Sequence, residues 1–140
     1  MEIRRIRSSD LPGLARLNSR MFGDVTYAQA QKAFSHMLAN SVKGACLLAE
    51  AKGEPVGAVF ATKKITFSPD AASIDSFFVD KKWQGRGIGR KLFSRCLSAL
   101  SRAKRKSISL TVAPGNARAK SIYRKAGFKP FRLMMLKVDG

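Results

Sequence analysis

Between Trp83 and Arg90 the chain reads Trp-Gln-Gly-Arg-Gly-Ile-Gly-Arg, with Gly85, Gly87 and Gly89 at alternate positions among arginines. Glycines let the backbone curl so that successive N–H groups point at one spot, and a helix beginning there adds the positive end of its dipole. Arg86, Arg90 and Lys91 place mobile positive charge around the same point. This is the chemistry of a phosphate site. A Walker loop would end in Gly-Lys-Ser/Thr, and no such triplet is present. A dinucleotide fingerprint starting at Gly85 and Gly87 would need its third glycine where Arg90 stands, and an acid about twenty residues on where there is none. Both of those phosphate-binding classes fail on specific residues.

The elements around the loop must be a strand before it and a helix after it. Ser73 to Asp80 reads as an apolar strand, and Gly87 to about Ala103 as a helix with Ile88, Leu92, Phe93, Cys96, Leu97 and Leu100 inward. Upstream, Glu2 to Arg7 alternates as a strand with Ile3 and a long-stemmed arginine on the core side. Ser8-Ser9-Asp10-Leu11-Pro12 starts a helix carrying Leu11, Leu14, Leu17 and Met21. A second helix is predicted over Tyr27–Asn40, with His36 a surface or boundary residue. Ala45–Glu50 and Val56–Ala61, joined through Lys52-Gly53-Glu54-Pro55, form a hairpin, followed by a looser stretch from Ile65 to Ala72. Ser107 to Ala113 reads as a strand, Ala117 to Ala126 as a short helix stopped by Gly127, and Phe128 to Val138 as a last strand or two. The order β-α-α-β-β-β-α-β-α-β predicts one α/β domain over residues 1–140 with a mixed sheet.

Gln84-Gly85-Arg86-Gly87-Ile88-Gly89 resembles the Gln/Arg-x-x-Gly-x-Gly/Ala pyrophosphate loop of the GCN5-related N-acetyltransferase (GNAT) superfamily. Downstream, the segment from Asn116 through Ala119 and Tyr123 to Gly127-Phe128 resembles that superfamily's Asn-x-x-Ala-x-x-x-Tyr-x-x-x-Gly-Phe signature, and residues 45–129 carry both motifs in order. The resemblance implies a sheet with helices on both faces in which the fourth and fifth strands, here Ser73–Val79 and Ser107–Ala113, splay at a bulge to admit pantetheine. Backbone groups of Phe78 and Val79 would pair with the pantetheine arm, and Phe77 and Phe78 would serve core and cofactor wall on opposite faces. Amides from Gly85 through Arg86, Gly87, Ile88 and Gly89 to Arg90, with Gln84 leading in, would hold the pyrophosphate of acetyl-coenzyme A. Asn116 would reach the cofactor arm while capping its helix. Tyr123 would lie near the thioester sulfur and supply a proton to the departing thiolate. The Val79 N–H would meet the oxyanion. The implied reaction is direct attack by a neutral primary amine in a ternary complex, with Asp75 on the fourth strand as the candidate general base. The alternative for Asp75 is a carboxylate paired with a nearby Lys or Arg, and Tyr123 has the alternative of a packed aromatic. Asp80 reads as turn structure. Trp83 reads as a packing anchor, or as an indole open to stacking on a base. After Phe128 the superfamily's final hairpin is shortened or fused into one strand, which implies an open acceptor groove better suited to a protein lysine or N-terminal amine; acetylation of a small-molecule amine, such as a polyamine or antibiotic, is the alternative.

The whole chain carries 27 Lys and Arg against 9 Asp and Glu, a net charge of +18. Residues 1–80 are nearly balanced, whereas from Lys81 to Val138 every charged residue is basic. A one-signed half is built to meet anions, so an acidic partner such as nucleic acid or a ribosomal particle is an expected ligand beside coenzyme A, and Arg102–Lys106 is the candidate docking cluster. A non-catalytic nucleic-acid-binding module on the same fold is the rival from another class. Cys46 and Cys96, far apart and without CxxC or Cys/His spacing, read as buried free thiols, and no ligand cluster accompanies His36 to make a metal site. With no long apolar run and no signal-peptide core near Met1, a cytoplasmic monomer or homodimer is expected.

Overall fold

In the computed structural model, residues 1–64 and 68–139 are described, so the first three residues of the looser stretch predicted from Ile65 to Ala72 lie outside them. They form two compact units, one over Met1–Leu110 and one from Thr111 onward.

The first unit is built on strands β1 (Glu2–Arg5), β2 (Leu47–Ala51), β3 (Glu54–Lys63), β4 (Ala71–Val79) and β5 (Ser107–Leu110). They are hydrogen-bonded in chain order, antiparallel throughout except for the parallel pair β4–β5. Helices α1 (Leu11–Met21) and α2 (Tyr27–Ala39) precede β2, and α3 (Ile88–Arg102) joins β4 to β5 as a parallel pair requires. Successive side chains on a strand point to opposite faces, so Phe77 and Phe78 report which helices cover which side. Phe78 stacks on Phe34 of α2 and meets Phe22 edge-on, whereas the Phe77 ring lies 5.5 Å from Phe93 of α3. The core under α1 and α2 runs from Leu14 and Phe34 to Leu48, Phe60 and Phe78; on the opposite side α3 buries Leu92, Phe93, Cys96 and Leu100.

Local chemistry explains the helix ends. Thr26 accepts a hydrogen bond from the Gln29 N–H and the Gln29 side chain accepts one from the Thr26 N–H, a reciprocal cap that starts α2. Before α1, Arg4 donates both guanidinium arms to Asp10 at 2.9 and 2.8 Å and one also to Glu50 at 3.2 Å. That guanidinium holds the Asp10 carboxyl below its ordinary range.

Cys46 and Cys96 are buried free thiols, donating to the carbonyls of Ala61 and Ala45. Burial pushes the thiols up to about 11 and about 12. An unfolded thiol ionises near 9 and a folded one only higher, so the folded state keeps protons that the unfolded state has lost. This contribution is full below pH 9 and disappears as pH rises through about 11 to 12. Urea titrations at pH 8 and pH 10.5 should therefore show a lower midpoint at the higher pH. Replacing both cysteines by alanine should reduce that difference. An unchanged pH dependence in the variant would mean the thiols are not its source.

The second unit contains α4 (Ala117–Lys125). Asn116 caps its start by accepting from the Ala119 N–H at 3.1 Å. Its end closes with the Phe128 N–H on the Tyr123 carbonyl at 2.9 Å and the Gly127 N–H on the Arg124 carbonyl at 3.0 Å, with Gly127 at φ +97°. This is a left-handed helix stop whose accompanying apolar contact is Tyr123 against Phe128, ring centres 6.1 Å apart. The last strand or two predicted over Phe128–Val138 are absent among the described residues. A strand needs a hydrogen-bonding partner, and among the described residues this unit holds no strand. Phe131, Leu133, Met134, Met135, Leu136 and Val138 are accordingly 72 to 87% exposed. β5 likewise ends at Leu110 rather than at Ala113.

Candidate functional site

The parallel ladder between β4 and β5 covers only four residue pairs, from Ala71 opposite Ser107 to Ile74 opposite Leu110. β4 then continues through Asp75 to Val79, still paired with β3 on its other side. The divergence begins at an irregularity. Across β3, Phe60 faces Ser76 and Ala61 faces Ile74, so Asp75 is the extra residue of a β-bulge.

Backbone polarity along this stretch is set by alternation in the antiparallel pair. The Asp80 N–H donates to the Val56 carbonyl at 2.7 Å, and the Phe78 carbonyl lies 2.9 Å from where a Cβ on Gly57 would be. Phe78 and Asp80 thus turn their backbone groups toward β3, while Phe77 and Val79 turn theirs to the other edge. The Gln84 side-chain amide donates to the Val79 carbonyl at 2.9 Å, fastening the loop to the end of β4. The same contacts explain Gly57, which the sequence reading passed over. Any side chain there would collide with the Phe78 carbonyl and with Val79 Cγ2, 3.2 Å away. The available signal was an isolated glycine inside an apolar strand.

After β4, Asp80 accepts from the Lys82 N–H at 3.2 Å and caps the start of a single 3-10 turn over Lys81–Trp83, the turn role expected of it. Gly85 and Gly87 both take φ +81° with open space where a Cβ would stand, so backbone conformation alone requires glycine there. Gly89 differs. It lies in the first turn of α3, and a Cβ would make ordinary contacts to Phe77 at 3.5 Å and Val79 at 3.6 Å.

Gly87 caps α3 without a side-chain hydrogen bond, unlike Thr26 on α2 and Asn116 on α4. The first bond of the helix is Lys91 N–H to the Gly87 carbonyl, which leaves the amides of Ile88, Gly89 and Arg90 with no acceptor within the helix. Lys81, Lys82, Arg86, Arg90 and Lys91 flank them in the chain. Arg86 is stacked over the Trp83 ring, 4.6 Å from its centre, so that indole face carries a guanidinium. Within the Arg102–Lys106 cluster, Arg105 is tied to the carbonyls of Pro69 and Ala71, a structural duty at the start of β4.

Asp75 projects on the face covered by α1 and α2. Among the described residues no Lys or Arg forms an ion pair with it; its carboxylate instead accepts from the hydroxyls of Thr62 and Ser73. Phe77, Phe78, Val79, the Gln84–Arg90 loop and Asp75 all belong to the first unit. Asn116 and Tyr123 belong to the second, at the start and in the third-last position of α4. The Tyr123 phenol is half-buried, and that desolvation raises it above its ordinary value.

An open strand edge, a curled loop of aligned amides and a carboxylate on the strand can together hold an extended thiol ester and its phosphates. Residues 17–134 match the family model of the Acetyltransferase (GNAT) domain. The chain is 30% identical over 137 residues to an uncharacterized N-acetyltransferase of Archaeoglobus fulgidus, covering 88% of this chain and 89% of that protein. It is 41% identical over 64 residues to the mycothiol acetyltransferase of Beutenbergia cavernae, of whose length it spans only 22%. A Pyrococcus horikoshii crystal structure superposes with a TM-score of 0.82 at 25% identity, covering 96% of this chain and 92% of that one. The coenzyme A complex of an aminoglycoside N-acetyltransferase shares the fold with a TM-score of 0.78 at 16% identity, covering 99% and 93%.

Proposed function

The chain belongs to the GNAT family of N-acetyltransferases, and we propose that it carries acetyl from acetyl-coenzyme A to a primary amine, with a peptide or protein amine preferred. The observation that carries this reading is the edge of β4 from Asp75 to Val79, which β5 leaves unpaired, leading directly into a loop that presents three unsatisfied amides. Five strand residues extend about 16 Å, a length suited to an extended pantetheine arm. In this reading Phe77 and Val79 pair with the arm, since Phe78 is committed to β3, and Gly85–Arg90 cradle the pyrophosphate.

The substrate amine attacks the thioester carbonyl carbon directly. Charge gathers on the carbonyl oxygen, where the Val79 N–H is the assigned donor. The C–S bond then breaks, and the thiolate takes the Tyr123 phenol proton. Asp75 takes the proton that the attacking nitrogen must lose. No covalent enzyme intermediate is required; placing the amine against the thioester supplies much of the acceleration.

The preference for a peptide amine rests on charge. A surface this basic repels polycationic amines and favours an acceptor on a neutral or acidic carrier. The same surface also calls for a control, because cations attract any polyanion at low salt. Calorimetric titration with acetyl-coenzyme A at low and high salt, beside adenosine 3′,5′-bisphosphate, separates the two effects. Selective binding of acetyl-coenzyme A that survives high salt is expected, followed by acetyl transfer to one member of a panel of peptides, spermine and an aminoglycoside. Equal, salt-labile binding of both ligands with no transfer would overturn the reading in favour of a nucleic-acid-binding protein.

A further inference from the structure

Asp75 closes a ring of three oxygen-bearing side chains. Thr62 Oγ1 hydrogen-bonds Asp75 Oδ2, Ser73 Oγ hydrogen-bonds Asp75 Oδ1 at 2.6 Å, and the two hydroxyl oxygens stand 3.3 Å apart. The sheet register builds this ring. Thr62 lies opposite Ser73 across β3 and β4, and Asp75, two residues after Ser73, projects on the face they share. Thr62 and Ser73 are 7% and 5% exposed, whereas Asp75 is open to solvent.

Counting hydrogens makes the ring informative. Each hydroxyl has one hydrogen to give and an ionised carboxylate has none. Two hydrogens satisfy both contacts to the carboxylate and leave the contact between Thr62 and Ser73 without one. With a proton on Asp75 Oδ2, three hydrogens serve three contacts. Asp75 donates to Thr62, Thr62 turns to donate to Ser73, and Ser73 still donates to Asp75 Oδ1.

We propose that Thr62 and Ser73 are positioning residues that let Asp75 accept the proton of the attacking amine without leaving any group of the ring unpaired. The proposal rests on the reading of Asp75 as the proton acceptor in acetyl transfer. An N–H bond of the attacking nitrogen breaks, the nitrogen keeps the electron pair, and an O–H bond forms on an outward lone pair of Asp75. Rotation about the C–O bond turns that O–H inward, and the Thr62 hydroxyl rotates away to Ser73. No other bond changes. A lysine or arginine partner would hold the carboxylate ionised; hydroxyls that both donate and accept serve either state. The titratable group facing Asp75 from the segment before β2 is the Cys46 thiol, neutral until about pH 11 and so silent while a carboxyl titrates.

The test needs no acceptor. With 13C-labelled Asp, Thr and Ser, the Asp75 carboxyl resonance is followed by NMR as pH is lowered, alongside the Cβ resonances of Thr62 and Ser73. The hydroxyl-bearing carbons should shift with the same midpoint as Asp75, and this shared transition should vanish in Asp75→Asn. Thr62 and Ser73 resonances that stay still through the Asp75 transition would overturn the ring. With a peptide amine that accepts acetyl, Asp75→Asn should lower kcat roughly 10²-fold and Thr62→Val roughly tenfold, with Thr62→Ser within about twofold of the native rate. Adding Thr62→Val to Asp75→Asn should cost nothing further, and KM for acetyl-coenzyme A should stay within about twofold in all four. If Asp75→Asn retains full activity, the general-base reading fails, whatever the NMR shows. If it loses activity and Thr62→Val costs as much in its background as alone, the base stands and the positioning role falls.

Discussion

Tyr123→Phe is expected to lower kcat for acetyl transfer roughly 10²-fold while acetyl-coenzyme A affinity stays within about twofold. The substitution removes one oxygen and leaves the ring that packs on Phe128. The backbone bonds that close α4 run from the amides of Gly127 and Phe128 and do not use the phenol. Thermal melts of the two proteins check that the helix end survives the substitution. A leaving thiolate needs an acid that is still protonated where the enzyme works. Burial raises the Tyr123 phenol above its ordinary value of 10, so the protonated form persists across the neutral range and is lost only above pH 10. The native rate should show no decline assignable to Tyr123 up to pH 9. Single-turnover acetyl transfer measured with both proteins reads the effect on chemistry directly. Equal rates would return Tyr123 to the role of a packed aromatic at a helix end.

Gly87→Val should weaken acetyl-coenzyme A binding by roughly 10²-fold or more, through the backbone alone. Gly87 holds φ +81°, and a side chain there would meet nothing within 4 Å, so no clash can be blamed. An L-residue in the left-handed region costs about 1–2 kcal/mol, and a β-branched one more. The loop can relieve that strain by moving, which rotates the amides of Ile88, Gly89 and Arg90 away from their common focus. Each hydrogen bond to a charged group is worth about 1.5–3 kcal/mol, so losing two accounts for the expected change. Gly89→Ala is the control. Its Cβ would make ordinary contacts with Phe77 and Val79, and its affinity should stay within about threefold of native. Calorimetry at high salt distinguishes the two, since electrostatic attraction by the flanking cations is screened there. Equal losses in both variants would show that the glycines are needed for space rather than for conformation.

Much of the framework was legible because its signals are local. The run from Leu11 to Met21, the inward face of α3 and the hairpin around Gly53 are periodicities and turn residues that neighbours in the chain decide. Asn116 and Gly127 announced both ends of α4, and the cap and left-handed stop are made within that helix. The strand predicted after Phe128 failed for the complementary reason. Phe131–Val138 has strand composition on both parities, but composition does not provide an edge to pair with. Within the candidate docking cluster Arg102–Lys106, nothing local marks Arg105 as different, yet its guanidinium binds carbonyls more than thirty residues away in sequence.

By itself the amino-acid sequence determined the family, the order of elements as far as α4 and the loop at Gln84–Gly89, because motifs and capping residues act within a few positions of where they stand. It presented Gly85, Gly87 and Gly89 as equals and Asp75 as a lone acid. Only the tertiary structure separated the glycines, two by positive φ and one by packing against β4. Only the register of β3 against β4, with its extra residue at Asp75, brought Thr62 and Ser73 to that carboxylate and fixed which backbone groups face the open edge. Strand register is a long-range property: a shift of one residue would reverse every face and scatter that ring, and no local pattern records it.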